Sequence, residues 1–159
     1  MKKLLALTMA ILMVAGLFAG CATNETASDS EYISEKGKLT IGYTIYEPMN
    51  YEENGELTGF DTEFAIAVCE KLGVEPDFVE IVWDNKFIDL EAKSIDCIWN
   101  GMTISDSVKT NADVSKAYVR NAQVVVMKED KVADYKDAAS MKELKFAAEN
   151  GSAGEADRK

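Results

Sequence analysis

A polar tetrapeptide, Asn100-Gly101-Met102-Thr103, follows directly on the largely apolar run Ile95-Asp96-Cys97-Ile98-Trp99. Such a run reads as a buried strand, and the Gly as the turn that ends it. A strand that ends this way brings backbone N–H groups and a hydroxyl to the carboxyl edge of a sheet, where open α/β sheets bind their ligands. Groups of this kind hold a small polar molecule. The 159 residues include no His, which removes the usual general base at neutral pH and excludes Ser-His-Asp hydrolysis. Cys69 and Cys97 without a His do not make a zinc site. No metal or cofactor is expected, and the two thiols read as small buried hydrophobes, with a disulfide between them, as an exported protein allows, the alternative. The net charge of −11 argues against nucleic acid, whose phosphates call for Lys and Arg.

The elements that position this edge are legible in chain order. Lys38 to Thr44 alternates apolar and polar residues as a first strand. Two short extended runs, Met49–Tyr51 and Leu57–Phe60, flank Asn54-Gly55 and predict a hairpin. Asp61 reads as the cap of a helix whose buried face carries Phe64, Val68 and Leu72, with Gly73 as its stop. Asp77 to Trp83 is the second strand, and Asp84 caps a helix to about Lys93. Ile95 to Trp99 is the third strand, apolar on both faces as a central parallel strand should be. This alternation predicts an α/β domain with right-handed crossovers. Asn121 to Met127 reads as a further strand, Ala138 to Leu144 as a short helix, and Lys145 to Ala148 as a strand before the turn Glu149-Asn-Gly-Ser-Ala-Gly154. That last unit has no later elements to bury it, so the chain is expected to stop inside a second domain.

The N-terminus carries a targeting pattern. Met1-Lys2-Lys3 is basic, Leu4 to Phe18 is apolar but short for a membrane span, and Phe18-Ala19-Gly20-Cys21 resembles a bacterial lipobox. Residues 1–20 are then a lipoprotein signal peptide and Cys21 the lipidated residue. Residues 21–36 are expected to be a flexible tether, given their small and polar composition.

The lipobox, Gly59-Phe60-Asp61-x-Glu63, Trp83-Asp84, Ile95-Asp96, Gly101-Met102-Thr103-Ile104, Asp113-x-Ser115 and Tyr118 occur in one order. In this the chain resembles the family 3 extracellular solute-binding proteins of polar amino-acid ABC importers. The resemblance implies a type II periplasmic-binding-protein fold, with lobe one nearly complete over residues 37–127, including a first crossover strand at Val124–Val126. Residues 128–159 would open a truncated lobe two. Function would be binding without catalysis, of an amino acid or similar small solute, by a receptor tethered outside the cytoplasm through lipid on Cys21. Its partners would be the small-molecule ligand, ABC permease subunits and, through that lipid, the membrane.

Carried over by position, Tyr46 and Trp83 resemble the aromatic walls of the site. Asn100 and Gly101 resemble the groups facing an α-ammonium, and Thr103 the hydroxyl that meets the amino-acid head. Ser152, in Gly151-Ser152-Ala153, resembles a turn that offers N–H groups to a carboxylate. Where members of the family carry an Arg for that carboxylate, this chain has Val108. N–H groups alone could hold the carboxylate, Lys109 or Arg120 could substitute, or the ligand is not an ordinary α-amino acid. The alternatives to an importer receptor are a fold-related, dehydratase-like periplasmic enzyme and a truncated remnant that binds nothing.

Overall fold

The computed structural model describes residues 28–157. The signal pattern and Cys21 lie outside the described residues. The expected tether is not extended over its second half, because Asp29–Lys36 forms helix α1. A local signal accounts for this. Ser28 accepts the Glu31 N–H while the Glu31 carboxylate accepts the Ser28 N–H, and Gly37 closes the helix in the left-handed conformation. Lys36 at its last turn reaches Asp96 at 2.8 Å and Thr40 at 3.0 Å, which fixes the helix to the sheet. Asp96 also accepts the Thr40 N–H at 2.6 Å. Asp96, just before β5, thus plays a structural part.

Strand β1 (Lys38–Tyr43) lies between β4 (Glu75–Glu80) and β5 (Cys97–Ile98), and both pairings are parallel. The central strand is therefore β1, and the Ile95–Trp99 stretch forms an edge of this sheet. The ladder chosen by β5 is non-local, which strand composition alone does not fix. The hairpin joins β2 (Tyr51–Glu53) to β3 (Glu56–Thr58) across Asn54 and Gly55, both at positive φ. Helix α2 (Phe60–Leu72) follows and ends at Gly73 as expected.

Helix α2 starts two residues earlier than predicted. Gly59 is its N-cap at φ 120°, and its carbonyl accepts the Glu63 N–H. A Cβ at Gly59 would fall on the Met49 carbonyl, so only Gly fits there. Asp61 is thereby moved inside the first turn with its carboxylate buried. Ile41, Ala65 and Cys69 form the buried cluster, with Leu39, Val74, Phe78, Cys97 and Trp99 packed on it. Trp99 is thus a core residue, as its alternation with Cys97 suggests. Cys69 and Cys97 are free. Burial raises both thiols, Cys97 to about 12 with help from the Asp96 charge, so neither presents a thiolate at neutral pH.

Beyond the sheet the structure departs further from expectation. The helix predicted from Asp84 is a 3₁₀ turn, Trp83–Asn85, followed by the short α3 (Lys86–Glu91), and Asp84 makes no cap. Helix α4 (Asp106–Asn111) is capped by Ser105, whose hydroxyl accepts the Val108 N–H. Residues 121–127 run without strand pairing, and Val124 and Val126 are largely exposed. Residues 145–148 likewise form no strand. Three consecutive Val residues favour a strand, but a strand needs a neighbour to take its backbone hydrogen bonds. The described chain ends in two 3₁₀ turns, Glu129–Asp134 and Ala138–Met141, and the one-turn helix α5 (Ala153–Ala156).

Candidate functional site

At the carboxyl end of β1 and β5 a buried amide network sets the floor of the site. Asn100 Oδ1 accepts the Thr44 N–H at 3.1 Å and an Asn50 Nδ2 proton at 2.6 Å. Asn100 Nδ2 donates to Thr44 Oγ1 at 2.7 Å. The Thr62 hydroxyl lies 2.8 Å from Asn50 Oδ1, and Asn50 is only 1% exposed. The side chain expected to face an ammonium is thus engaged inside the fold, where it pins the ends of two strands together. Position 100 supports the site from below.

Thr103 stands above this floor. Its hydroxyl oxygen accepts from Asn121 Nδ2 at 3.2 Å and from Gln123 Nε2 at 3.4 Å, while its proton remains available to donate. Asn121 Nδ2 also reaches the Gly101 carbonyl at 3.4 Å. Residues 121 and 123 share one side of an extended segment, and that two-residue period brings both amides to one hydroxyl. Tyr46, half exposed, flanks Gly101: a Cβ at Gly101 would sit 3.5 Å from the ring.

Trp83 is buried to 8% exposure after β4. Beneath it lies Lys86, whose Nζ is 4.7 Å from the Trp83 ring centroid and 5.0 Å from that of Phe87. Lys86 donates to the Trp83 carbonyl at 3.1 Å and to the Gly151 carbonyl at 3.2 Å. Burial holds this amine below its ordinary pKa, against the opposing pull of the Asp84 and Glu149 charges. Asp84 takes a hydrogen bond from Asn150 Nδ2 at 2.7 Å. Its carboxylate is so close to Gly151 that a Cβ there would lie 2.5 Å from Oδ1. The turn at 149–152 is therefore docked on the Trp83–Lys86 segment.

Within that turn Ser152 caps α5, accepting the Glu155 N–H at 3.2 Å, and the Gly151 N–H donates to Glu155 Oε2 at 2.9 Å. A Cβ at Gly154 would lie 3.1 Å from Gln123 Oε1. Gln123 thus bridges Thr103 to the start of α5, and Lys86 bridges Trp83 to Gly151. These contacts gather Trp83, Thr103 and Ser152 into one chain of neighbours, with Tyr46 and Gly101 adjoining. Sequence reasoning missed Lys86, Asn121 and Gln123. The alternation Asn121-x-Gln123 could have revealed the amides. A Lys three residues after Trp83 gave no sign of burial, since charged helix residues usually face water.

Asp61 is the second buried charge, 1% exposed, with neither carboxylate oxygen hydrogen-bonded at strict geometry. Tyr118, the Gly101 N–H and Trp99 stand around it and stabilise its anion in part, but burial dominates and raises its pKa. The Tyr118 hydroxyl is raised as well, by burial and by the Asp61 charge. Phe60, Phe64, Trp99 and Tyr118 pack ring against ring beside it. A groove of about 1190 Å³ runs past these rings along the open side of β5, lined by Tyr32, Leu39, Ile95 and Trp99 among others. It touches Gly101 and Thr103 but not Trp83, Lys86 or Ser152. Its apolar wall suits packing better than a zwitterion. Among the described residues no group of three or more His, Cys, Asp or Glu could hold a metal ion.

Comparison with known proteins places the chain in a family. Residues 39–153 match the bacterial extracellular solute-binding proteins, family 3. The chain belongs to this family. It is 32% identical over 136 residues to the L-cystine-binding protein TcyJ of Escherichia coli (strain K12), covering 84% of this chain and 50% of that protein. It is 34% identical over 151 residues to the L-cystine-binding protein TcyA of Bacillus subtilis (strain 168), covering 89% and 56%. The chain thus spans about half the length of the curated relatives it matches.

Among solved structures, an amino acid ABC transporter substrate-binding protein from Streptococcus pneumoniae, bound to L-arginine, aligns with a TM-score of 0.76 at 28% identity, over 81% of this chain and 56% of that one. An ancestral amino acid-binding protein, a precursor of cyclohexadienyl dehydratase, aligns at 0.69 and 31% identity, over 72% and 52%. The fold is that of the periplasmic amino-acid-binding proteins, of which this α/β chain presents chiefly one lobe.

Proposed function

We propose that this chain is part of the solute-binding receptor of an ABC importer, and that it takes an amino acid or a similar small solute without chemical change. The reading rests on the polar groups gathered at one edge: the Thr103 hydroxyl steadied by Asn121 and Gln123, beside the Trp83 wall and the Gly151–Ser152 turn. The Gly151 N–H already accommodates a carboxylate, that of Glu155, which is the chemistry a zwitterion's acid end requires. Relatives named as binding proteins for cystine and arginine support binding over catalysis.

In this reading residues 37–127 are lobe one, with Tyr46, Trp83, Gly101 and Thr103 as ligand groups. Residues 128–159 open lobe two, with Ser152 as its contribution. Asn100 serves from beneath. Closure of the lobes on the solute would present the receptor to its permease. The pattern before Cys21 supports a signal peptide over residues 1–20 and a lipid anchor outside the cytoplasm; Cys21→Ser would then shift the protein from the membrane to the soluble fraction.

The test is a calorimetric and thermal-shift panel of amino acids on the full-length protein. At least one amino acid should raise the melting temperature, a ligand at 100 times its Kd adding about 2.7 kcal/mol. Thr103→Val should weaken that ligand by about tenfold. A panel in which no amino acid shifts the melt overturns the reading.

A further inference from the structure

The cation that the acid end of a solute would need is absent from the helix after Thr103. Val108 is buried there, and Lys109 points to solvent with Asp106 at 3.7 Å. Lys86 is a different case. It is 6% exposed, clasped between two aromatic faces, and hydrogen-bonded only to neutral carbonyls. None of the ion pairs among the described residues includes it. A buried ammonium with no anion in ion-pair contact, only the more distant Asp84 and Glu149 charges, is costly to keep, and an ammonium has three protons to give. Here two are on carbonyls, and the second carbonyl belongs to the turn proposed to meet the solute's acid group.

We propose that Lys86 is the specificity-determining cation of this site: its ammonium meets the carboxylate of the solute, in the role that Val108 cannot fill. This rests on the amino-acid-binding reading above. In the described geometry the Gly151 carbonyl holds the ammonium in readiness between the Trp83 wall and the Gly151–Ser152 turn. An arriving carboxylate takes the third proton or displaces that carbonyl. The low dielectric beneath Trp83 makes the charge-assisted bond much stronger to a carboxylate than to the carbonyl of an uncharged amide. The solutes selected are those with a free carboxylate at this end.

The test measures binding of L-arginine, L-cystine and L-histidine, and of their carboxamides, to full-length wild-type protein, Lys86→Met and Lys86→Arg. Wild type should prefer acid over amide by about 100-fold. Lys86→Met, which removes the buried charge together with its two carbonyl contacts, should reduce the preference to about threefold or less. Lys86→Arg should retain most of it. If Lys86→Met binds and still discriminates as wild type does, Lys86 is only a strut to Gly151 and the proposal is overturned. A loss of all binding in Lys86→Met that Lys86→Arg restores supports it, and a loss that Lys86→Arg does not restore overturns it. Should wild type bind none of the acids, the binding reading fails first, and the role of Lys86 falls with it.

Discussion

Two stretches of this chain are built on different physics. Every buried residue among those described lies between Thr40 and Val108, whereas residues 112–157 contribute none. The first stretch closes a parallel sheet over Ile41, Ala65 and Cys69 and then spends buried polar groups on its carboxyl edge. The second leaves Val124, Val126 and Val132 largely exposed, yet it supplies Asn121, Gln123 and the Gly151 carbonyl to that edge. The first stretch is a scaffold with its own core, and the second is a set of polar arms laid on it. Rigidity of the site therefore resides in the strand ends, and adjustability in the arms.

The sharpest way to break this contrast is to damage the floor. Asn100→Ala removes three hydrogen bonds, takes the acceptor of the buried Thr44 N–H away, and leaves Asn50 Nδ2 with only its long contact to the Trp99 carbonyl at 3.4 Å. It should destabilise the sheet by about 3–5 kcal/mol, measured by urea denaturation. A loss below about 1 kcal/mol would mean that the strand ends are not pinned by this network.

That network also marks where the sequence stops being informative. The βαβ order, the Asn54-Gly55 hairpin and the Gly73 stop were legible because each is a local pattern with a local cause. So were the edge residues Gly101 and Thr103, placed by the turn after an apolar run. Lys86 and Asn100 were not, because their burial depends on Gly151 and on Thr44 and Asn50, residues 50 or more positions away. The 121–127 strand failed for the complementary reason: its propensity is local, but its pairing partner has to come from elsewhere. Helix α1 lies on the legible side of this line, since Ser28-x-x-Glu31 is a capping box overlooked amid a small, polar composition.

A smaller effect sharpens the account of the scaffold's second buried charge. Burial raises the Asp61 pKa above its unfolded value, so the folded state binds its proton more tightly than the unfolded chain does. Between the two values the native state carries more protons, and stability from this group falls as pH rises through the folded pKa. Asp61→Asn should therefore melt higher than wild type at pH 7, and the advantage should vanish as pH falls below the unfolded carboxyl range. A variant that melts lower at pH 7 would show that Tyr118, Trp99 and the Gly101 N–H stabilise the anion by more than burial penalises it.

The smallest effect belongs to the arms. Val126 is 91% exposed, so little apolar area leaves water there and Val126→Ser should change stability by less than about 0.5 kcal/mol. Paired with Asn100→Ala in the same denaturation series, it measures the contrast directly, and the two changes should add because the sites share no contacts. A loss above about 1 kcal/mol from Val126→Ser would show Val126 to be covered, with residues 121–127 acting as a packed crossover strand. The arms would then be part of the scaffold, and the adjustability assigned to Asn121 and Gln123 would have to move to the 149–152 turn.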